Sequence, residues 1–451
     1  VAIRTFSGGI HPPENKEYSK NKPIVNAPLP EVAYVLISQN TGKPPAPIVE
    51  KGASVKTGQK IADAQGVLSV PLHSPLTGKV VDIKKVFHPV TQKPEDAIVI
   101  QREGEEQKAF LPPLDAWESY DPEKRSNALY NRILESGIVG MGGATFPAHF
   151  KYIETMKKPA DYVILNGAEC EPYLTIDEQL MIEYPKEIVR GLEILLALTG
   201  AGKGYIGIED NKPEAYAAMQ KFQSEKIEPV LLKTKYPQGG EKQLIYSITK
   251  RVVPVGGYPI NIGVIVNNVA TAFAIYEAVE KGKPLFERGL TVTGEGIKNP
   301  NNYWVRIGTP IQQIIELAGG LKESEITGTQ QGNSKVVLGG PMMGIPVKDL
   351  SVPVMKGTSG VLLLPPDQVH EIEEMPCINC GFCIFSCSLK LEPNYLVKLV
   401  KAKKFDDAYK YGVLNCCECG SCAYVCPSKI EHVKHFKLAK KLYATLKGGK
   451  K

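Results

Sequence analysis

No run of apolar residues in this chain of 451 approaches the eighteen or more that a membrane span requires, so it is expected to be soluble or to sit on a membrane through a partner. It opens VAIRTFSGG, without the apolar stretch of a secretory signal, which argues against an oxidising compartment and its disulfides. Neither the dinucleotide fingerprint nor the P-loop is present, so any nucleotide must be held by another kind of glycine turn. Charge of one sign is scarce outside the tail. The formal net charge is +6, and eight lysines against the single acid Glu431 lie in the last 23 residues, leaving the rest near neutral and without a basic face for nucleic acid. Cysteine is almost missing from the first 376 residues, where only Cys170 occurs.

The other nine cysteines fall between Cys377 and Cys426. CINCGFCIFSC places Cys377, Cys380, Cys383 and Cys387 as CxxCxxCxxxC. CCECGSCAYVCP repeats that spacing at Cys416, Cys419, Cys422 and Cys426, with Pro427 behind. Eight cysteines so spaced exceed what one zinc site uses. The pattern is that of bacterial two-cluster ferredoxins, in which three thiolates of a tight loop take three corners of a cubane and the fourth cysteine ligates the other cluster. Carried onto this sequence, Cys377, Cys380, Cys383 and Cys426 would hold one 4Fe-4S cluster, and Cys416, Cys419, Cys422 and Cys387 the second. Cys417 breaks the spacing and is expected to be a bystander. Between the runs, Leu396, Leu399 and Val400, then Phe405, Ala408 and Tyr409, recur at helical spacing, so this module is expected to be α-helical.

Size and pattern suggest several domains, multidomain α/β overall. Residues 1–27 read as an extended arm rich in Pro, Gly and Lys, with His11 a packed or solvated histidine. Residues 28–102 alternate short β runs with Gly and Pro turns. Their "KGASVKTGQKIA" and "SPLTGKV" resemble the barrel-sandwich hybrid fold of biotinyl and lipoyl carriers, yet Leu68 to Leu72 lacks the modified lysine, so a structural or docking module is expected. A linker over 103–130 hands over to a helix from about Asn127 to Ser136. Within 131–285, strands DYVILN, KGYIGIED, EPVLLKTK and GVIVNN alternate with helices near 177–198, 213–223, 241–250 and 269–281, the pattern of a mostly parallel sheet whose ligands bind at the C-terminal strand edges. The glycines of GIVGMGGATFP precede it, able to bring backbone amides to a phosphate. Residues 286–350 read as strand, strand, helix, strand; 351–376 as a connection; 377–429 as the two-cluster module; and 430–451 as a basic helix with Ile430, Val433, Phe436, Ala439, Leu442 and Leu446 on one face, packed or lying on a membrane.

GMGGATFP, NGAECEP, YPQGGE and VNNVAT, in this order, resemble the flavin- and NADH-binding subunit of respiratory complex I. With GGIHPP and the barrel-like N-terminal region, the whole chain is similar to the RnfC family, found in the Rnf-type ion-translocating ferredoxin:NAD+ oxidoreductases. The resemblance implies an N-terminal barrel-sandwich hybrid, a Rossmann-like α/β FMN/NAD domain, a soluble-ligand-binding β-grasp domain acting as a spacer, and an α-helical two-cluster ferredoxin domain. Flavin contacts would fall on Gly140, Gly142, Lys151, Asn166, Glu169, Gly239, Asn267 and Asn268, and nicotinamide contacts on Phe146, Glu171 and Glu241. Met141 and Ala168 replace an arginine and an aspartate of the complex I pattern. Cys170 is expected to be a small buried filler. The implied cofactors are two 4Fe-4S clusters and FMN, with NAD+/NADH as substrate. The implied partners are the other subunits of a membrane-bound Rnf complex, with ferredoxin reached indirectly, and the implied place is the cytoplasmic side of the cell membrane. A cobalamin reductase of propanediol-utilising microcompartments, similar over the same domains, and an iron-sulfur relay adaptor without flavin are the competing readings.

Overall fold

The structure is a computed structural model that describes residues 2–321, 334–369 and 373–448. The N-terminal arm runs extended across the molecule. It bridges Arg4 to Leu232 and Ile10 to Tyr236, then adds β1 (Val25–Asn26) in parallel to a strand of a later domain. β2 (Val32–Leu36), β3 (Ala46–Pro47), β4 (Ser54–Val55), β5 (Lys60–Asp63), β6 (Leu72–His73), β7 (Gly78–His88) and β8 (Lys93–Arg102) form two facing sheets in the orders β2-β8-β7-β4 and β3-β5-β6. Alternate residues such as Ala33, Val35, Ile61, Leu72, Ile98 and Ile100 point between them and make one apolar core, the sandwich expected for this segment.

The next helix starts earlier than the sequence pattern suggests. α1 spans Pro122–Glu135, because Pro122 is preorganised for a first helical turn and Asp121 accepts the Lys124 amide at 3.0 Å. β9 (Tyr162–Gly167) follows, and the long helix expected over 177–198 is in fact two, α2 (Ile176–Glu183) and α3 (Pro185–Thr199). Pro185 has no amide to continue the first helix and begins the second. β10 (Lys203–Glu209), α4 (Pro213–Gln220), β11 (Ile227–Leu232), α5 (Glu241–Thr249), β12 (Val264–Asn268) and α6 (Val269–Glu280) complete a parallel sheet in the order β11-β10-β9-β12. Both faces are buried. Val163, Leu165 and Ile206 pack against α1, α3 and α6, while Ile164, Val230 and Val266 pack against α5, which accounts for the continuous apolar runs in these strands.

β13 (Glu287–Thr293), β14 (Asn301–Arg306), α7 (Ile311–Leu317), β15 (Lys335–Leu338), β16 (Ile345–Val347) and β17 (Gly360–Leu364) make the third layer, ordered β1-β14-β13-β17-β15-β16. The connection expected over 351–376 is therefore not a plain linker, since β17 lies between β13 and β15 at the centre of this sheet. Its GVLLL is short enough to pass for a linker but is almost wholly buried.

The cysteine-bearing module is helical: α8 (Phe382–Ser386), α9 (Pro393–Lys401), α10 (Phe405–Lys410), α11 (Ser421–Tyr424) and α12 (His432–Gly448). Leu396, Leu399, Val400, Ala408, Ile430, Phe436 and Ala439 share one small core with Cys383, Cys422 and Cys426. The basic tail helix is thus packed onto the module. Lys440 reaches the Cys416 carbonyl and Glu418, at 2.7 Å from the Glu418 carboxylate. The Leu446 side chain lies outside the described residues.

Candidate functional site

Each cysteine run turns on the same backbone. The residue after the second position, Asn379 or Glu418, and the glycine after the next cysteine, Gly381 or Gly420, all have positive φ, and a one-turn helix follows. Glycine is suited to the fifth position because φ near 80° is costly for a side chain that carries Cβ. The first three thiols of the first run and the last of the second, Cys377, Cys380, Cys383 and Cys426, line one cavity together with Asn394 and Pro427. The opposite exchange holds for the other set. Burial pushes the Cys422 thiol up, with Cys416, Cys419 and Cys387 adding their negative charge, and burial holds Cys416 up at about 11 with Cys419 and Cys387 among its neighbours. The fold therefore brings the eight cysteines together as two crossed groups of four.

These groups suit iron-sulfur clusters on the chemistry of their donors. They are all sulfur, partly buried, and mutually repulsive as thiolates, so they need a cationic centre to be stable in that form. Among the described residues no three His, Cys, Asp or Glu side chains converge closely enough to hold a single metal ion. A cubane, whose irons sit at separate corners, suits donors arranged around a cavity. Backbone amides also face the sulfurs: Leu391 N donates to Cys387 Sγ at 3.4 Å and Glu418 N to Cys416 Sγ at 3.3 Å, contacts that would tune the potential of a cluster held there. Cys417 is exposed, and its thiol hydrogen-bonds that of Cys419 in the second group.

The second polar region lies at the C-terminal edge of β9, β11 and β12. Gly140 N donates to Phe146 O at 2.8 Å and closes the glycine turn, whose Met141 amide is fixed by Thr271 Oγ1 at 3.0 Å on α6. A Cβ at Gly142 would meet Asn268 at 3.5 Å, while one at Gly143 would meet nothing, so the turn stands next to the end of β12 with open space in front. Lys151 donates to Val266 O at 2.7 Å. Burial lowers its pKa, partly offset by the charge of Glu241 in the first turn of α5. Asn166 Nδ2 donates to Gly239 O at 2.8 Å and ties β9 to the turn before α5. Asn268 caps α6 through the Ala270 amide at 2.9 Å and donates to Asp177 at 2.6 Å. Asn267 accepts from Tyr152 Oη at 3.1 Å, while its own buried amide nitrogen has no partner. Phe146 stands edge-on to Phe150. An orphaned amide donor, a half-buried lysine and a glycine turn open to solvent fit an anionic, hydrogen-bonding ligand such as a flavin nucleotide.

Glu169 and Glu171 are engaged elsewhere. Glu169, at φ 46°, uses its carboxylate to cap α2 through the Asp177 and Glu178 amides at 2.7 and 3.2 Å, with Lys16 at 4.0 Å. Glu171 accepts from Met342 N at 3.0 Å in the third layer, its other oxygen is buried without a partner, and burial raises its pKa to about 7. Cys170 is more than filler, since its sulfur accepts the Gly239 amide at 3.2 Å. Sequence reasoning missed Lys16 of the arm, whose amine is enclosed by the carbonyls of Glu169, Glu171 and Leu174. A lysine in a segment without periodicity gives no signal of burial.

The two regions meet at the second cysteine run and at the end of the first. Tyr236 Oη donates to Cys419 O at 2.8 Å, Gln243 to Ser388 Oγ at 2.7 Å, and the arm's Gly9 amide to Ser386 O at 2.9 Å. A Cβ on Gly420 would lie 3.4 Å from Met342 O.

Comparison with known proteins agrees with this layout. Family models match in chain order: an RnfC barrel sandwich hybrid domain over residues 4–105, a Nuo51 FMN-binding domain over 133–277, an SLBB domain over 290–346 and a 4Fe-4S dicluster domain over 376–430. The matching subunit of the proton-translocating ferredoxin:NAD(+) oxidoreductase complex of Clostridium ljungdahlii is 42% identical over 408 residues, covering 90% of this chain and 86% of the relative. Its counterpart in the Na(+)-translocating ferredoxin:NAD(+) oxidoreductase complex of Acetobacterium woodii is 40% identical over 89% of this chain and 88% of its own. The counterpart in the ion-translocating oxidoreductase complex of Rhodobacter capsulatus is 38% identical over 91% and 78%.

Proposed function

The chain belongs to the RnfC family of ion-translocating ferredoxin:NAD(+) oxidoreductase complexes, and from that membership we propose that it passes electrons between two crossed-ligand 4Fe-4S clusters and an FMN that exchanges hydride with NAD+/NADH. It is an NAD-linked oxidoreductase subunit with an FMN-binding and a dicluster domain, and its partners are the other subunits of the complex. The observation that carries the reading is the seam at Tyr236 and Cys419, where the second cysteine run packs directly on the domain whose strand edge suits the flavin.

A bound flavin supplies the conversion between a two-electron hydride and the single electrons that clusters accept. The chain's own residues prepare the place. The Gly140–Phe146 turn brings amides forward, Lys151 and the Asn267 amide offer donors, and Asn268 and Asn166 hold the ends of β12 and β9 in register. Glu241, exposed beside them, and Phe146 are the residues we assign to the nicotinamide. Glu169 acts through α2, and Glu171 through the turn at Met342. Among the described residues no helix is long and apolar enough to cross a membrane, and the chain is a peripheral subunit of a membrane-associated complex. We assign it to the cytoplasmic side, where NAD+ is found. The domain bounds we propose are those given above from the sequence, with β17 reassigned to the β-grasp layer.

Anaerobic purification of the full chain tests this. Iron for two four-iron clusters, stoichiometric FMN and bleaching of the flavin band by NADH are expected. Absent flavin would favour the relay adaptor, and co-purification with a corrinoid and shell proteins would favour the cobalamin reductase.

A further inference from the structure

Three apolar side chains of the first cysteine run stand in solvent. Ile378 is 66% exposed, Phe382 56% and Phe385 78%. All three lie on the short loop and one-turn helix that carry Cys377, Cys380 and Cys383, Ile378 lines the cavity of that cysteine group, and Cys380 itself is exposed. The second run differs at one of the three matching positions: Ser421, in the place of Phe382, is buried, while Cys417 and Tyr424, in the places of Ile378 and Phe385, are exposed, and the run touches Tyr236 and Met342. One group of cysteines therefore faces the flavin domain and the other faces outward.

The stretch that carries the two cysteine runs is also cationic. From Pro376 to Lys429 the chain carries seven lysines against four acids. Lys398 donates to Asn379 Oδ1 at 2.9 Å inside the first cysteine loop, a neutral partner that leaves its charge uncompensated. Exposed apolar side chains on one loop, with an unpaired lysine beside them, mark a surface that excludes water at its centre and selects an acidic group opposite. A protein partner fits this better than a lipid surface, because the apolar groups are grouped over a redox-bearing loop and not spread along one face of an amphipathic helix.

We propose that Ile378, Phe382 and Phe385 form the docking surface for a one-electron partner protein of the same complex, apolar at its centre and acidic at its rim, and that electrons enter the chain over the first cysteine group and leave it toward the flavin domain over the second. The proposal rests on the functional reading above. Each encounter moves one electron: the partner's iron-sulfur or flavin centre is oxidised by one electron and the first cluster is reduced by one, with no bond formed or broken and no proton transferred. Docking of this kind needs only a small, salt-sensitive contact.

The test uses the full chain, reconstituted anaerobically with clusters and flavin, titrated onto membranes that hold the remaining subunits but lack this one. Phe385→Asp and the pair Phe382→Ser with Phe385→Ser should weaken binding at least tenfold, and wild-type binding should weaken as salt rises. Iron content and the cluster spectra should match wild type, since these side chains are solvent-exposed. Val255→Asp, at a site 80% exposed on the flavin domain, should bind as wild type. Wild-type affinity in Phe385→Asp overturns the docking surface. So does equal binding of wild type to protein-free anionic vesicles that the same substitutions abolish, which would make the face a lipid contact. Failure of the wild-type chain to reduce a dye with NADH overturns the functional reading underneath, separately from the surface.

Discussion

Ile378 and Cys417 occupy the same position in two loops that trace one backbone: φ is 57° and 60° at Asn379 and Glu418, and 79° and 82° at Gly381 and Gly420. Around that shared frame the surroundings diverge. The first loop shows Phe382 and Phe385 to solvent. The second buries Ser421 and is fastened by Tyr236 on one side and Lys440 on the other. The cysteine spacing specifies the cage, while the residues between the cysteines specify what the cage faces. In the proposed reading, one loop geometry thereby serves opposite ends of one electron path.

The largest expected effect breaks the pairing itself. Replacing Cys387 with Ala should remove the cluster of the second run, and replacing Cys426 that of the first. In spectra of the reduced protein, Cys387→Ala should resemble Cys416→Ala and not Cys377→Ala, and the opposite match would uncross the ligands. A smaller effect tests the buried side of the comparison. Ser421→Phe forces a ring into a site 1% exposed and should cost about 1–3 kcal/mol by overpacking, read as a lower denaturation midpoint. Tyr236→Phe removes one buried hydrogen bond to the Cys419 carbonyl and should cost about 1 kcal/mol, with a shift in the potential of the second cluster and none in the first. Phe382→Ser, the mirror of Ser421→Phe, should change stability by less than about 0.5 kcal/mol, because the ring already stands in water. An equal cost for the two mirrored substitutions would erase the distinction between the loops.

How much of the molecule is legible in the sequence follows the range of the interactions involved. Cysteine spacing, the alternating strands and helices of the flavin domain and the glycine turn are local patterns, and they place α9, α10, β9 to β12 and the two loops close to where they are found. Sequence and structure part where a local pattern meets a distant partner. GVLLL reads as linker because both strands it pairs with, β13 and β15, lie well before it in the sequence. The carboxylates of Glu169 and Glu171 read as ligand contacts from their motif, while the motif gives no sign that Glu169 also caps α2 or that one Glu171 oxygen accepts Met342 N and leaves the other without a partner. The first residues of α1 carry no apolar periodicity, and only the favourable first-turn position of Pro122 marks them as helix.

The arm that crosses three domains also sets an order of assembly. Gly9 is made early, but its partner Ser386 follows 377 residues later, a wait of roughly 20–75 s at ordinary rates of synthesis. Until then the arm has nothing on the cysteine module to grip, and Cys387, whose carbonyl a Cβ on Gly8 would approach to 2.9 Å, is uncovered. The arm can therefore seat on the flavin domain at Leu232 and Tyr236 before the cysteine module, the last of its partners to be made, exists to receive it.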